Sequence, residues 1–122
     1  MTKDLAIAHL LANFAYIDNE IHDAEIKKIK DISKKLNLKV DFDSIFSSFK
    51  ENANNEELEE YAQALAFLNL NLDKDEKIKI LRYAIEIIEA DGKVMDKEVI
   101  KLQLVSKSWD IDVKKVFSLF LE

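Results

Sequence analysis

Apolar residues recur every three to four positions along almost the whole chain, the spacing that places them on one side of a helix. Leu5, Ala8, Leu11, Ala12 and Ala15 predict a first helix that ends near 16–18, and Ile26, Ile29, Ile32 and Leu36 predict a second over about 23–36. Ile45, Phe46 and Phe49 predict a short third, with Asp43 as its cap. Leu58, Tyr61, Ala62, Leu65 and Leu68 predict a fourth, and Asn54 with Glu57 stands ahead of it at capping-box spacing. Asp73 and Glu76 repeat that spacing before a fifth helix carrying Ile78, Leu81, Ala84, Ile85 and Ile88. Val99, Leu102, Val105 and Trp109 predict a sixth, and Val116, Phe117 and Phe120 a short seventh after Asp112. No window alternates with period two, so no strand is predicted and the fold class is all-α.

The pattern repeats itself at an offset of 73 residues. Asp18, Asp23, Glu25, Lys28, Ser33 and Lys34 recur unchanged as Asp91, Asp96, Glu98, Lys101, Ser106 and Lys107. The apolar positions recur in kind: Ile21 with Val94, Ile26 with Val99, Ile29 with Leu102, Ile32 with Val105, Leu38 with Ile111. The single glycine of the chain, Gly92, stands where the first copy has Asn19, and these two residue types tolerate positive φ best. Each octapeptide, 18–25 and 91–98, therefore reads as a tight turn between two helices. The expectation is one domain over 1–122, built from duplicated helix–turn–helix units at about 5–38 and 78–111.

Two copies of Asp-Gly-x-Ile/Val-x-x-x-Glu, each closing one apolar helix and opening another, resemble the TerB-like family. That family is named for a tellurite-resistance protein, and its domain also stands at the front of some membrane-anchored J-domain co-chaperones. The resemblance runs from about Ala8 to Phe120 and is strongest from Ile85 to Ile111, through Ala90-Asp91-Gly92-Lys93-Val94 and Glu98. The chain departs from the family pattern at Asn19, where Gly is usual. It departs again at His22 and Met95, where the family tends to place Ser or Thr three residues before the Glu. The resemblance implies a compact helical bundle and a link to stress, and it implies divalent metal at the acidic motif.

Composition removes several classes of function. The chain has 122 residues and a formal net charge of −6, which argues against a nucleic-acid partner. It has no cysteine, hence no disulfide, thiolate nucleophile or thiolate zinc site. No run of 18 apolar residues is present, so no membrane insertion is expected. Met1-Thr2-Lys3-Asp4 lacks the basic and apolar regions of a secretory leader, and a cytoplasmic location is predicted.

The acidic motif carries the candidate chemistry. The spacing from Asp91 to Glu98 matches the second half of a calcium-binding EF-hand loop. The first half is missing, because its first and third positions fall on Ile87 and Glu89 in one copy and on Phe14 and Tyr16 in the other. A standard EF-hand is excluded. A weaker site remains open, with Asp18, Glu25, Asp91 and Glu98 supplying oxygens to Ca²⁺ or Mg²⁺ if the two turns lie side by side. The competing and favoured reading is capping: Asp91 in an Asx-turn, and Glu98 as third residue of its helix, near the positive helix end. Yet His22 and Met95 offer no hydroxyl for a reciprocal capping box, which leaves both glutamates open to another use.

The remaining candidates read as structure. His9 and His22 are 13 apart and fit no helical ligand pair. Trp109 matches Leu36 in the twin and reads as core. Ser33 and Ser106 have no His and acid partners for nucleophilic catalysis. Lys27, Lys28, Lys30, Lys34 and Lys35, interleaved with acids, read as a solvated face. The expected function is a binding or scaffolding module with a protein partner, the acidic turns attracting a basic segment. No catalytic constellation is evident, and the alternative is a metal-dependent hydrolase using the same four carboxylates.

Overall fold

The first helix is apolar on nearly every side, and the rest of the chain is arranged to cover it. The computed structural model describes residues 2–15, 23–51, 55–90, 92, 96–112 and 114, with the backbone alone at 48–51 and 55–60. It forms α1 (Lys3–Ala15), α2 (Asp23–Leu36), α3 (Phe42–Glu51), α4 (Asn55–Asn71), α5 (Lys74–Glu89) and α6 (Asp96–Ser108). No strand occurs among the described residues. The seventh helix expected after Asp112 lies outside them, as do the cap at Asn54 and the turn residues Asp18, Asn19, Glu20, His22 and Asp91. No helix among the described residues is long and apolar enough to cross a membrane.

Helix α1 buries Ala6, Ile7, Ala8, His9, Leu10, Leu11, Ala12, Phe14 and Ala15, far more than the one face its spacing predicts. Helices α2, α3, α4 and α5 all pack on it. Helix α5 begins as its sequence predicts. Asp73 Oδ1 accepts from the Glu76 N–H at 2.8 Å, and the Asp73 N–H donates to Glu76 Oε1 at 3.3 Å.

Two local expectations are corrected. The cap of α3 is Asp41 and not Asp43: Asp41 Oδ1 accepts from the N–H groups of Asp43 and Ser44 at 3.1 and 3.4 Å. The helix therefore starts early enough to bury Phe42. In α4, Ala62 is exposed and Ala64 is buried with Leu68. Alanines at 62, 64 and 66 are too small and too evenly spaced to signal a register, and the larger Leu68 decides it. Phe49 and Leu58 lie where the backbone alone is described.

Contacts between distant segments follow the 73-residue offset. Lys28 Nζ on α2 approaches Glu86 Oε1 on α5 at 3.6 Å. Its counterpart Lys101 on α6 donates to Asn13 of α1, to the carbonyl oxygen at 3.2 Å and Oδ1 at 3.0 Å, and Asn13 is the counterpart of Glu86. Lys3 and Glu76, themselves counterparts, meet each other at 2.7 Å. These contacts thus join positions that the offset relates. The ends of α2 and α6 also match. Asn37 and Asp110 take φ of 53° and 57°. The N–H of the next residue, Leu38 or Ile111, then reaches back to the carbonyl of Ser33 at 3.0 Å or Ser106 at 2.8 Å. That is the Schellman closure of a helix.

Candidate functional site

Helix ends flank the two acidic octapeptides: the end of α1 and the start of α2 at the first, the end of α5 and the start of α6 at the second. Helix α5 tightens as it closes, with the Ala90 N–H donating to the Ile87 carbonyl at 3.2 Å and the Gly92 N–H to the Glu89 carbonyl at 3.0 Å. Gly92 then takes a φ of +80°, as its place in the turn predicts. Ile87 and Phe14, where an EF-hand would need its first ligand, are fully buried in α5 and α1. In the second copy the positions of that missing half, Ile87 to Glu89, are helix.

Glu25 and Glu98 occupy the third positions of α2 and α6. Only 4% and 6% of their surfaces are exposed, and each has an interaction partner. Burying a carboxylate is costly without such compensation. Asp23 and Asp96, at the helix starts, are exposed. Of the expected acidic surface, the described residues therefore present Asp23 and Asp96 to solvent, while Glu25 and Glu98 are withdrawn from it. Asp18 and Asp91, the other two candidate ligands, fall outside the described residues. Among those described, no three His, Asp or Glu side chains form a cluster able to hold a metal ion.

Lys28 and Lys101 stand at matching places on α2 and α6. The Lys101 ammonium caps the last turn of α1 through Asn13 and lies over two rings, 4.5 Å from the centroid of Tyr61 and 5.8 Å from that of Phe14. Burial pushes the Tyr61 phenol up to about 12, because the phenolate would lose its hydration. On the related side, Ala24, Lys27, Lys28, Asp31, Glu86, Glu89 and Ala90 line a cleft of about 440 Å³ between the start of α2 and the end of α5. One end of the bundle thus carries buried acids, half-buried lysines and a cleft edged by charged residues. Sequence reasoning missed the Lys101 cradle, although Lys28 and Lys101 recur unchanged at the 73-residue offset and carried the signal.

The other candidates are placed in the structure of the bundle. Trp109 is 2% exposed and its indole N–H donates to the Leu65 carbonyl at 3.2 Å, so it packs in the core. Ser106 is buried, and its hydroxyl finds no hydrogen-bond partner among the described residues. His9 is buried in α1 and has an interaction partner. In the lysine run of α2, Lys28 and Lys30 pair with Glu86 and Asp43, and Lys27, Lys34 and Lys35 are exposed.

The family model described as tellurite resistance protein TerB matches residues 4–116. The chain belongs to the TerB family. No curated protein and no solved structure matches it. The TerB match spans every described helix but for Lys3 at the start of α1. The donor chemistry at the paired ends of this TerB bundle is carboxylate oxygen, with no sulfur in the chain apart from two methionines. Oxygen donors of this type suit hard cations.

Proposed function

We propose that this TerB-family chain is a cytoplasmic binding module, not an enzyme, whose paired acidic turns hold a hard divalent cation and engage a basic protein segment. The observation that carries the reading is the burial of Glu25 and Glu98 at matching positions of α2 and α6, beside helix ends that reciprocal lysine contacts hold together. Two carboxylates kept out of water at equivalent places are an expensive way to build a helix start, since an exposed acid there contributes only about 0.3–1 kcal/mol. Glu25 and Glu98 would hold the cation together with Asp18 and Asp91, and Ca²⁺ or Mg²⁺ suits all-oxygen donors. When bound, the cation would add to the interactions that Glu25 and Glu98 already make and stiffen both turns. The affinity belongs in the millimolar range typical of weak oxygen sites. Exposed Asp23 and Asp96 then present negative charge to a partner, giving an association that weakens with salt. A stress setting, tellurite included, is part of the proposal through the family description.

Calorimetric titration with Ca²⁺ and Mg²⁺ tests this. Heat of binding and a thermal midpoint that rises with millimolar cation are expected, both lost in Asp91→Asn/Glu98→Gln. A cation at ten times its Kd stabilises by about 1.4 kcal/mol, enough to read. No heat and no shift in the parent protein leaves the acids as helix caps. Cation-stimulated turnover of a generic phosphoester would replace the binding module with a metal-dependent hydrolase.

A further inference from the structure

A second cleft of about 440 Å³ runs along α5 and reaches the end of α2. Ile78 and Tyr83, half-buried against the core, give it apolar surface. Lys79 and Arg82 of α5 and Lys35 from the last turn of α2 add three exposed cations. None of the three forms an ion pair among the described residues, although Asp75 stands one turn from Lys79 and Glu86 one turn from Arg82 on the same helix. Glu86 is engaged by Lys28 instead, at 3.6 Å. Of the 18 basic residues in the chain, Arg82 is the one arginine. A cation needed only for solubility is lysine everywhere else in this sequence. A guanidinium offers what lysine does not, a planar fork that meets a phosphate or carboxylate through two parallel hydrogen bonds.

The charge balance of the lining selects the class of ligand. Lys28 offsets Glu86, which leaves Lys35, Lys79 and Arg82 against Asp75, an excess of two positive charges in a chain of net charge −6. Neighbouring charges do not reverse that excess. Asp31 and Glu89 line the adjoining cleft together with Lys27 and Lys28. Beyond Lys79, Glu76 pairs with Lys3, and Asp4 accepts the Lys39 N–H at 3.3 Å. Exposed Lys34 and Lys74, next in sequence to Lys35 and Asp75, add to the positive field without lining the cleft. A phosphomonoester carries about −1.5 to −2 at pH 7 and matches two charges, which a carboxylate or phosphodiester does not. A nucleic-acid strand needs a basic groove that follows its backbone, whereas these cations gather at one cleft of small-molecule size. We propose that the cleft binds a small organic phosphomonoester, its phosphate on the Arg82 fork between Lys35 and Lys79 and its apolar body against Ile78 and Tyr83. The site uses neither the acidic turns nor a cation, so it stands or falls independently of the reading above.

Phenyl phosphate titrated into the ¹⁵N-labelled full chain tests this, with phenyl sulfate, the same shape bearing a single charge, as its control. Phenyl phosphate is expected to bind with a Kd below about 1 mM and the sulfate at least about fivefold more weakly, with amide shifts centred on Lys35, Lys79, Arg82 and Tyr83. Arg82→Gln should abolish binding, and Arg82→Lys, which keeps the charge and loses the fork, should weaken it several-fold. Arg82 is exposed, so both variants should retain the thermal midpoint. Asp75→Asn removes the acid that opposes the ligand and should tighten binding, a gain that damage to the fold cannot mimic. Vesicles of phosphatidylcholine with phosphatidic acid separate two sources of the same group. Co-sedimentation that Arg82→Gln removes would place the phosphomonoester on a lipid headgroup, and phenyl phosphate binding without co-sedimentation would place it on a free molecule. No shifts at several millimolar, shifts centred elsewhere, equal affinity for the sulfate, binding that survives Arg82→Gln, an Arg82→Lys variant equal to the parent, or weaker binding in Asp75→Asn would each overturn the proposal.

Discussion

An added Cβ at Gly92 would meet no atom within 4 Å, so a substitution there has only the φ of +80° to contend with. For an L-residue that conformation costs roughly 1–2 kcal/mol, and Asn bears it more easily than Ala. Urea unfolding of Gly92→Ala should therefore show a loss of about 1 kcal/mol, and Gly92→Asn a smaller one; equal losses would point to a steric cause. Tyr61 makes a second prediction. Its folded phenol holds the proton up to about 12, against 10.0 for the free side chain. Between those values the unfolded chain binds fewer protons than the folded one, so stability falls as pH rises. The contribution is complete below pH 10 and is lost as pH approaches 12. Tyr61→Phe keeps the ring beneath Lys101 and should flatten that limb of the stability–pH curve.

The starts of α1, α3 and α5 each rest on a side-chain oxygen, and the choice between neighbouring aspartates at α3 is testable. Asp41 accepts the orphan N–H groups at the start of α3, while the Asp43 side chain sits within the first turn and pairs at 3.5 Å with exposed Lys30. Asp41→Ala should cost about 1 kcal/mol, as loss of a cap does. Asp43→Ala should cost no more than about 0.5 kcal/mol, the weight of an exposed ion pair. Thermal melts of the two variants distinguish them, and a reversed order would restore Asp43 as the cap. At α5 the capping box also reaches α1, because Glu76 takes a hydrogen bond from Lys3. That bond and the Asp73 N–H hold the Glu76 carboxyl below its usual range. Its contribution is present above the ordinary carboxylate range and fades as pH falls through the lowered value.

Across the molecule, stability follows the burial of α1. Leu11 is fully buried between packed helices, whereas Leu70, equally apolar, is 85% exposed on α4. Leu11→Ala should destabilise by roughly 3 kcal/mol, transfer loss plus cavity. Leu70→Ala should stay within about 0.5 kcal/mol. Denaturant curves with a common slope would establish both, and similar losses for the two leucines would contradict the central place of α1.

Helical periodicity, the turn glycine and the capping box of α5 were legible in the sequence because each rests on contacts within a few residues. The span of α2, the φ of Gly92 and the Asp73–Glu76 exchange depend on nothing further away. The 73-residue offset was legible too, and it anticipates the pairing of Lys28 and Lys101 with matching partners. Tertiary packing decided the rest. Only the arrangement of four helices around α1 turns a one-sided pattern into a helix buried all round, and only Leu68 settles which alanine of α4 faces inward. Glu25 and Glu98 read as surface acids in sequence, where charge implies exposure. The fold buries them, an effect that spacing along one chain does not carry. Spacing is equally silent on Ile100 and Leu104, exposed although their period matches a core face, because Leu102 and Val105 claim the other side of α6.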